Sequence, residues 1–241
     1  MCNGSIMDKL ISFSLPLMVS GILQLAFNAV DIIVVGRFSG SQALAAVGST
    51  TALINVFTNL FIGISLGANV LAARFYAAGK DREMSETVHT SITLALISGI
   101  MMAVIGVLLA KWALEIMGTP DDVIGQSALY MRIYFMGMPF FMLYNYGAAI
   151  LRAIGDTKRP LIFLIISGIA NAALNMILVI LFHMGVAGVA IGTIISQLIS
   201  CVLVLTCLYR SEGSYQLRFS KLKINGAYME QIFQVGVPAG I

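Results

Sequence analysis

Long uncharged apolar runs, broken by short polar joints, dominate the pattern of the chain. A backbone crossing about 30 Å of hydrocarbon must satisfy its own hydrogen bonds, which takes about 20 mostly apolar residues in a helix. Six runs meet that test, roughly Leu10 to Val35, Leu44 to Phe75, Val88 to Leu114, Val123 to Ile150, Leu161 to Phe182 and Val186 to Tyr209. The joints GRFSGSQ, AAGKDREMSE, MGTPDD, RAIGDTKRP and HMG are so short that neighbouring helices must run antiparallel. The second run is longer than a bilayer requires and is expected to tilt or project. Beyond Tyr209 a polar stretch leads to QIFQVGVPAGI, where the sequence stops inside another apolar run. The predicted fold class is all-α integral membrane: a six-helix transmembrane bundle over 1–209, a linker over 210–230, and the start of a seventh helix over 231–241. Setting Pro238 over Pro16 aligns two similar helix starts, which points to an internal repeat about six spans long.

Composition agrees with this pattern. Of 241 residues, 59% are hydrophobic and 10% charged, against roughly 25% charged in an ordinary soluble domain. The mean hydropathy is +0.95, and a soluble fold is excluded. The net charge of +3 is too small to indicate nucleic acid, but the placement of the basic residues is informative. With the amino terminus inside, the cytoplasmic joints hold Lys9, Arg74, Lys80, Arg82, Arg152, Lys158, Arg159, Arg210, Arg218, Lys221 and Lys223, and the outside holds only Arg37, Lys111 and Arg132. Basic residues accumulate in cytoplasmic loops, so a multi-pass protein of the inner or plasma membrane with a cytoplasmic amino terminus is expected. MCNGSIMDKL carries one lysine and the run after it is too long for a signal-peptide core, so the first run is expected to remain as a span. Cys2, Cys201 and Cys207 have neither metal-ligand nor pairing spacing and are expected to be reduced packing residues.

Candidate chemistry lies in the polar residues within the spans. Asp31 is the one acidic residue well inside an uncharged apolar segment. A charge at bilayer centre costs about 2.5–3.5 kcal/mol on insertion scales, so such a side chain faces a protein interior or a wet cavity. It lies about 9 Å along the helix from Arg37, so a purely structural place near the helix end is the alternative. Gln24, Asn28 and Asp31 share one helix face, as do Asn55 and Asn59, then Ser167, Asn171 and Asn175, then Thr193, Gln197 and Ser200. Oxygen-rich faces converging on a carboxylate suit a hard cation or a proton-exchanging site. The alternative role of such stripes is helix-to-helix bonding, worth about 0.6 kcal/mol on average.

The fourth run carries Met131, Met136, Met138 and Met142 with Phe135, Phe140, Phe141 and Tyr144, either a soft lining for varied apolar molecules or plain packing. Pro16 and Pro139 are expected to kink their helices. No nucleophile–base pair, nucleotide loop or zinc spacing occurs, and His89 and His183 stand far apart, so no enzyme and no cofactor are expected.

Several segments together resemble the multidrug and toxic compound extrusion (MATE) transporters across essentially the whole chain. They are the first span with Pro16 and Asp31 and the following GRFSGSQALAAVG, then GISLGANVLAARFYAAGK, LRAIGDTKRP and GVAGVAIGTIISQ. The resemblance implies twelve helices in two six-helix lobes, of which this sequence would be the first, with the second lobe of the same polypeptide truncated. It implies secondary active export of organic, often cationic, compounds in exchange for H+ or Na+ by alternating access. Asp31 would carry the coupling ion, with Na+ as a candidate ligand, and Asn171, Asn175 and Thr193 would complete the site. The position matching Asn175 is an aspartate in some members, so one charge is missing here. Gln24, Asn28, Asn55, Met138, Phe141 and Tyr144 are candidate substrate or cavity-lining residues. The partners expected are a small organic substrate and membrane lipid. The alternatives are a lipid-linked or polysaccharide flippase of the same broader fold, which calls for a basic cavity, and a non-transporting membrane scaffold or receptor, in which the polar stripes only bond helices together.

Overall fold

The computed structural model describes residues 6–240; Cys2, the Lys9 side chain and Ile241, which carried expectations above, lie outside the described residues. Among the described residues eight α-helices follow one another: α1 (Ile6–Phe38), α2 (Gly40–Ala77), α3 (Asp81–Ile116), α4 (Asp121–Met136), α5 (Met138–Ala153), α6 (Lys158–Asn175), α7 (Gly185–Arg210) and α8 (Gly226–Gly240). Helices α1, α2 and α3, α6 with its continuation, and α7 are each long and apolar enough to cross a bilayer. The fourth predicted span is realised as two helices, α4 and α5. Pro139 cannot donate to the carbonyl of Phe135, and the Gly137 carbonyl instead takes the N–H groups of Phe140 and Phe141, each at 3.1 Å. The helix is therefore interrupted by a turn at Gly137 and resumes as α5.

A second irregularity follows Asn175. Residues Met176–Leu181 continue α6 as a π-helix, and His183 closes the turn in the left-handed region at φ 52°. Widened turns of this kind concentrate at functional sites in helices. The linker after α7 contains only a 3₁₀ turn at Phe219–Lys221. Helix α8 begins at Gly226, ahead of the expected start at Gln231, because the Asn225 side-chain oxygen accepts the N–H of Ala227 at 3.1 Å and caps the first turn.

The helices α3, α4 and α5 form the densest part of the bundle, where Phe135, Tyr146, Met84, Met131, Met138 and Met142 are almost wholly buried. Helices α6 and α7 pair beside them. By contrast α1 rests mainly on α6 and α2; only 11% of its most apolar window is buried, against 50% for α2. Ion pairs do not hold these helices together, since those among the described residues are local: Arg82–Glu86 at 3.1 Å, Lys111–Glu115 at 3.8 Å and Arg159–Asp156 at 3.2 Å. Close packing of small residues does, as expected where lipid is as apolar as the core. The most extensive helix pair is α2 with α8. There Gly63 and Gly67 of α2 face Gly236 and Gly240 of α8, and a Cβ on Gly67 would run into the carbonyl of Ile232.

Two glycines of α2 therefore respond oppositely to the same change. Gly67→Ala is expected to lower the thermal midpoint in detergent by an amount equivalent to about 1–3 kcal/mol of overpacking. Gly48→Ala, where nothing lies within 4 Å of an added Cβ, is not expected to lower it. Paired melting curves check both.

Candidate functional site

Four helices and the kinked pair converge on a cavity of about 280 Å³. Helix α1 contributes Gln24, Asn28 and Asp31, α2 contributes Asn55, Thr58 and Asn59, and α6 contributes Ser167 and Asn171. Thr193, Ser196, Gln197 and Ser200 come from α7, and Tyr130, Tyr134, Phe141, Tyr144 and Asn145 from the kinked pair. Both arms of the helix broken at Gly137 reach this space: Tyr130 and Tyr134 of one arm, with ring centroids 6.1 Å apart, and Phe141 and Tyr144 of the other share a wall. The Tyr144 hydroxyl donates to the Pro160 carbonyl at 3.1 Å, tying that wall to the start of α6.

Asp31 is the only charged side chain lining the cavity among the described residues. Its Oδ1 accepts a hydrogen bond from the Asn175 Nδ2, and the same nitrogen donates to the Asn171 Oδ1 at 3.3 Å. Asn171 in turn donates to the Thr193 hydroxyl at 3.5 Å, and Thr193 donates to the Val189 carbonyl at 2.9 Å. A single polar relay thus crosses from α7 through α6 to α1. Among the described residues, its last step is the only hydrogen bond joining α1 to another helix. Asn175 is fully buried. Its Oδ1 lies against Gly192, where a Cβ would strike it, and has no hydrogen-bond partner; the Gln197 Oε1 is likewise buried and unpartnered. The Phe27 ring of α1 fills the space beside Gly168 of α6 where a Cβ would stand, so α1 also docks next to the relay by this contact.

The four residues expected to form the coupling site, Asp31, Asn171, Asn175 and Thr193, stand together. Gln24, Asn28, Asn55, Phe141 and Tyr144 are among the residues that line the cavity. Met138 does not: it is 1% exposed, packed in the core behind the kink, and is absent from the cavity wall. The methionine run is divided by the bend, with Met131 and Met142 also in the core and Met136 exposed. Tyr130, Tyr134, Thr58 and Phe27 were not singled out from the sequence. Tyr130 and Tyr134 are four residues apart on one helix face, the same spacing that marked the Asn stripes, and this was the available signal.

The site's oxygens match a hard cation in type, being one carboxylate with amide and hydroxyl groups, and the unpartnered Asn175 Oδ1 is a spare donor. As arranged, however, the Asn175 nitrogen faces Asp31 and Asn171. A cation would fit once that carboxamide turned its oxygen inward.

Comparison with known proteins places these features in context. The family model described as MatE matches residues 16–177. The chain is similar to the probable multidrug resistance protein YoeA of Bacillus subtilis, 34% identical over 238 residues that cover 95% of this chain and 51% of the relative. It is 28% identical over 241 residues to the multidrug export protein MepA of Staphylococcus haemolyticus, covering 98% of this chain and 52% of the relative. A solved structure of MATE in the bent conformation superposes with a TM-score of 0.91 at 22% identity, over 98% of this chain and 53% of that one. The chain thus spans about half the length of the relatives it matches.

The relay predicts energetic coupling between Asp31 and Asn175. In a double-mutant cycle of Asp31→Ala and Asn175→Ala, the two losses of stability are expected to fall short of additivity by about 1–2 kcal/mol. Unfolding of the four proteins in detergent measures it, and additive losses would contradict the bond. Gly192→Ala is expected to reproduce much of the Asn175→Ala loss by displacing the carboxamide.

Proposed function

Because the chain belongs to the MatE family, we propose that it forms the first lobe of a secondary transporter exporting organic, cationic compounds in exchange for an ion by alternating access, with Asp31 as the coupling carboxylate. Members of this family are transporters rather than enzymes, and the chain is a multi-pass membrane protein. The plasma membrane with a cytoplasmic amino terminus is the proposed setting, supported by the distribution of lysines and arginines. One observation carries the reading: the single charged group of the cavity is also α1's only hydrogen-bonded tie to another helix among the described residues. Binding an ion at Asp31 therefore alters how α1, the least buried of the long spans, is held against α6.

The aromatic wall of Tyr130, Tyr134, Phe141 and Tyr144 faces that carboxylate across the cavity. Aromatic faces and a negative charge together favour lipophilic cations. The described lining contains no lysine or arginine, which counts against a flippase for anionic lipid-linked sugars. Gln24, Asn28, Asn55 and Asn59 are exposed at the mouth of the cavity. Polar groups at that depth are not left against lipid, which supports a second lobe as the facing wall and disfavours a lone scaffold.

The coupling ion is H+ or Na+. The proton reading is favoured by the Asn175 carboxamide, whose nitrogen already occupies Asp31 and Asn171. A sodium ion would use Asp31, Asn171, Thr193 and the Asn175 Oδ1 with that amide reversed.

The test is efflux of a fluorescent organic cation from cells stripped of their main pumps, with the protein expressed from its full reading frame and proton and sodium gradients imposed separately. Asp31→Asn at equal membrane abundance is expected to lose efflux, and Asn175→Asp to shift the dependence toward sodium. Equal efflux from wild type and Asp31→Asn would make Asp31 structural and overturn the assignment. No efflux from the wild type would favour the flippase or scaffold.

A further inference from the structure

At the far end of the bundle from the Asp31 cavity, the linker is strapped across the first turns of α3 by a set of side chains that the transport reading does not use. Glu86, His89 and Thr90 present neighbouring positions on one face of α3. The Thr90 hydroxyl accepts the N–H of Asn225 at 3.2 Å, and the Glu86 Oε2 accepts the Asn225 side-chain amide at 2.9 Å. Between them His89, only 4% exposed, accepts the backbone N–H of Arg218 on its Nε2 at 3.1 Å, while its Nδ1 lies 2.6 Å from the Ser85 carbonyl. A carbonyl only accepts, so Nδ1 carries the proton and Nε2 must be bare. The geometry thus requires the neutral imidazole in one tautomer.

Imidazole is the side chain whose charge change lies nearest neutral pH. A proton added at Nε2 would point at the Arg218 N–H, setting donor against donor. The charged and titratable groups around this corner are Arg82, Glu83 and Glu86 on α3, Arg218, Lys221 and Lys223 on the strap, and Tyr228 on α8. Glu86 is engaged by Arg82 at 3.1 Å as well as by Asn225. A cleft of about 780 Å³ between α3 and the strap has His89 and Lys223 among its lining residues, so the opening that frees the strap is also what brings water to the buried imidazole. Residue Asn225, held by this clasp, also caps α8.

We propose that residues 218–225 form a pH-released strap, held on α3 by neutral His89 and freed when that imidazole takes a proton, so that the capped start of α8 loosens from the bundle at the same time. The proposal goes beyond transport through Asp31 and stands whether or not that reading holds.

Hydrogen exchange of the purified chain in lipid nanodiscs tests it, read as protection factors over about residues 214–226 at about pH 8 and about pH 5.5. Wild type is expected to lose about tenfold protection there at the lower pH, with the α3 core around Ile92–Met102 unchanged. His89→Gln, which still donates and accepts but does not titrate, is expected to abolish the pH step, and Glu86→Gln to retain it. A step that persists in His89→Gln, that vanishes in Glu86→Gln, that is absent from wild type, or that extends through the α3 core would overturn the proposal.

Discussion

The hydrogen bond from Asn175 to Asp31 is the interaction on which the candidate machinery depends, because it joins the least buried long helix to its neighbour α6 at the only charge that the described residues bring to the cavity. Helix α1 has little else to hold it: most of its apolar residues, among them Leu15, Met18, Ile22 and Leu25, are exposed. In lipid those residues gain nothing by turning inward, since hydrocarbon is as good a solvent for them as the core. A polar bond has no substitute in hydrocarbon. The orientation of α1 is therefore set by Asp31 and by the ring of Phe27 against Gly168, and a change in the charge of Asp31 acts on the least buried of the long spans.

The rest of the structure keeps the Asn175 side of that bond fixed. Asn175 sits where α6 passes into its π-helical continuation, and its side-chain oxygen is received by the bare backbone of Gly192 on α7. Asn171 and Thr193 extend the relay into the α6–α7 pair. On the opposite side the break at Gly137 and Pro139 serves the same site by a different route. Tyr130, Tyr134, Phe141 and Tyr144 keep to one stripe at helical spacing on both sides of the break, and the buried core behind it includes Phe135 against Phe57 at 6.0 Å between centroids.

Most of the architecture was legible in the sequence because it follows from one physical demand. Spans must be long and apolar, so their number and limits can be read from hydropathy, and Asp31 and the asparagine stripes stand out as the exceptions to it. What could not be read depends on how one helix sits on another. Met138 and Phe141 are close neighbours in one apolar run, yet the first is in the core and the second on the cavity wall, because a bend of unspecified direction lies just before them. The orphaned oxygen of Asn175 and the His89 clasp were equally hidden. His89 stands alone in the sequence, and its partner is the backbone of Arg218 far along the chain, which no side-chain pattern reports. Tyr130 and Tyr134 were within reach, since their spacing matches that of the stripes, but aromatic residues near an apolar run carry little contrast.

One side of α2 links the two ends of the molecule. Asn55, Asn59, Gly63 and Gly67 follow at intervals of four, forming a single ridge along the helix. Its polar half borders the cavity and its glycine half receives α8. The contacts place Gly240 opposite Gly63 and Ile232 opposite Gly67, so α8 runs antiparallel to α2 and points toward Asn59. A helix extended in that direction would pass over Asn59 and Asn55 and cover the open mouth of the cavity. The glycine half of the ridge is then more than a packing device. It fixes the line of α8 along the ridge toward the polar half, so any loosening of α8 at the strap would act along that line toward the cavity.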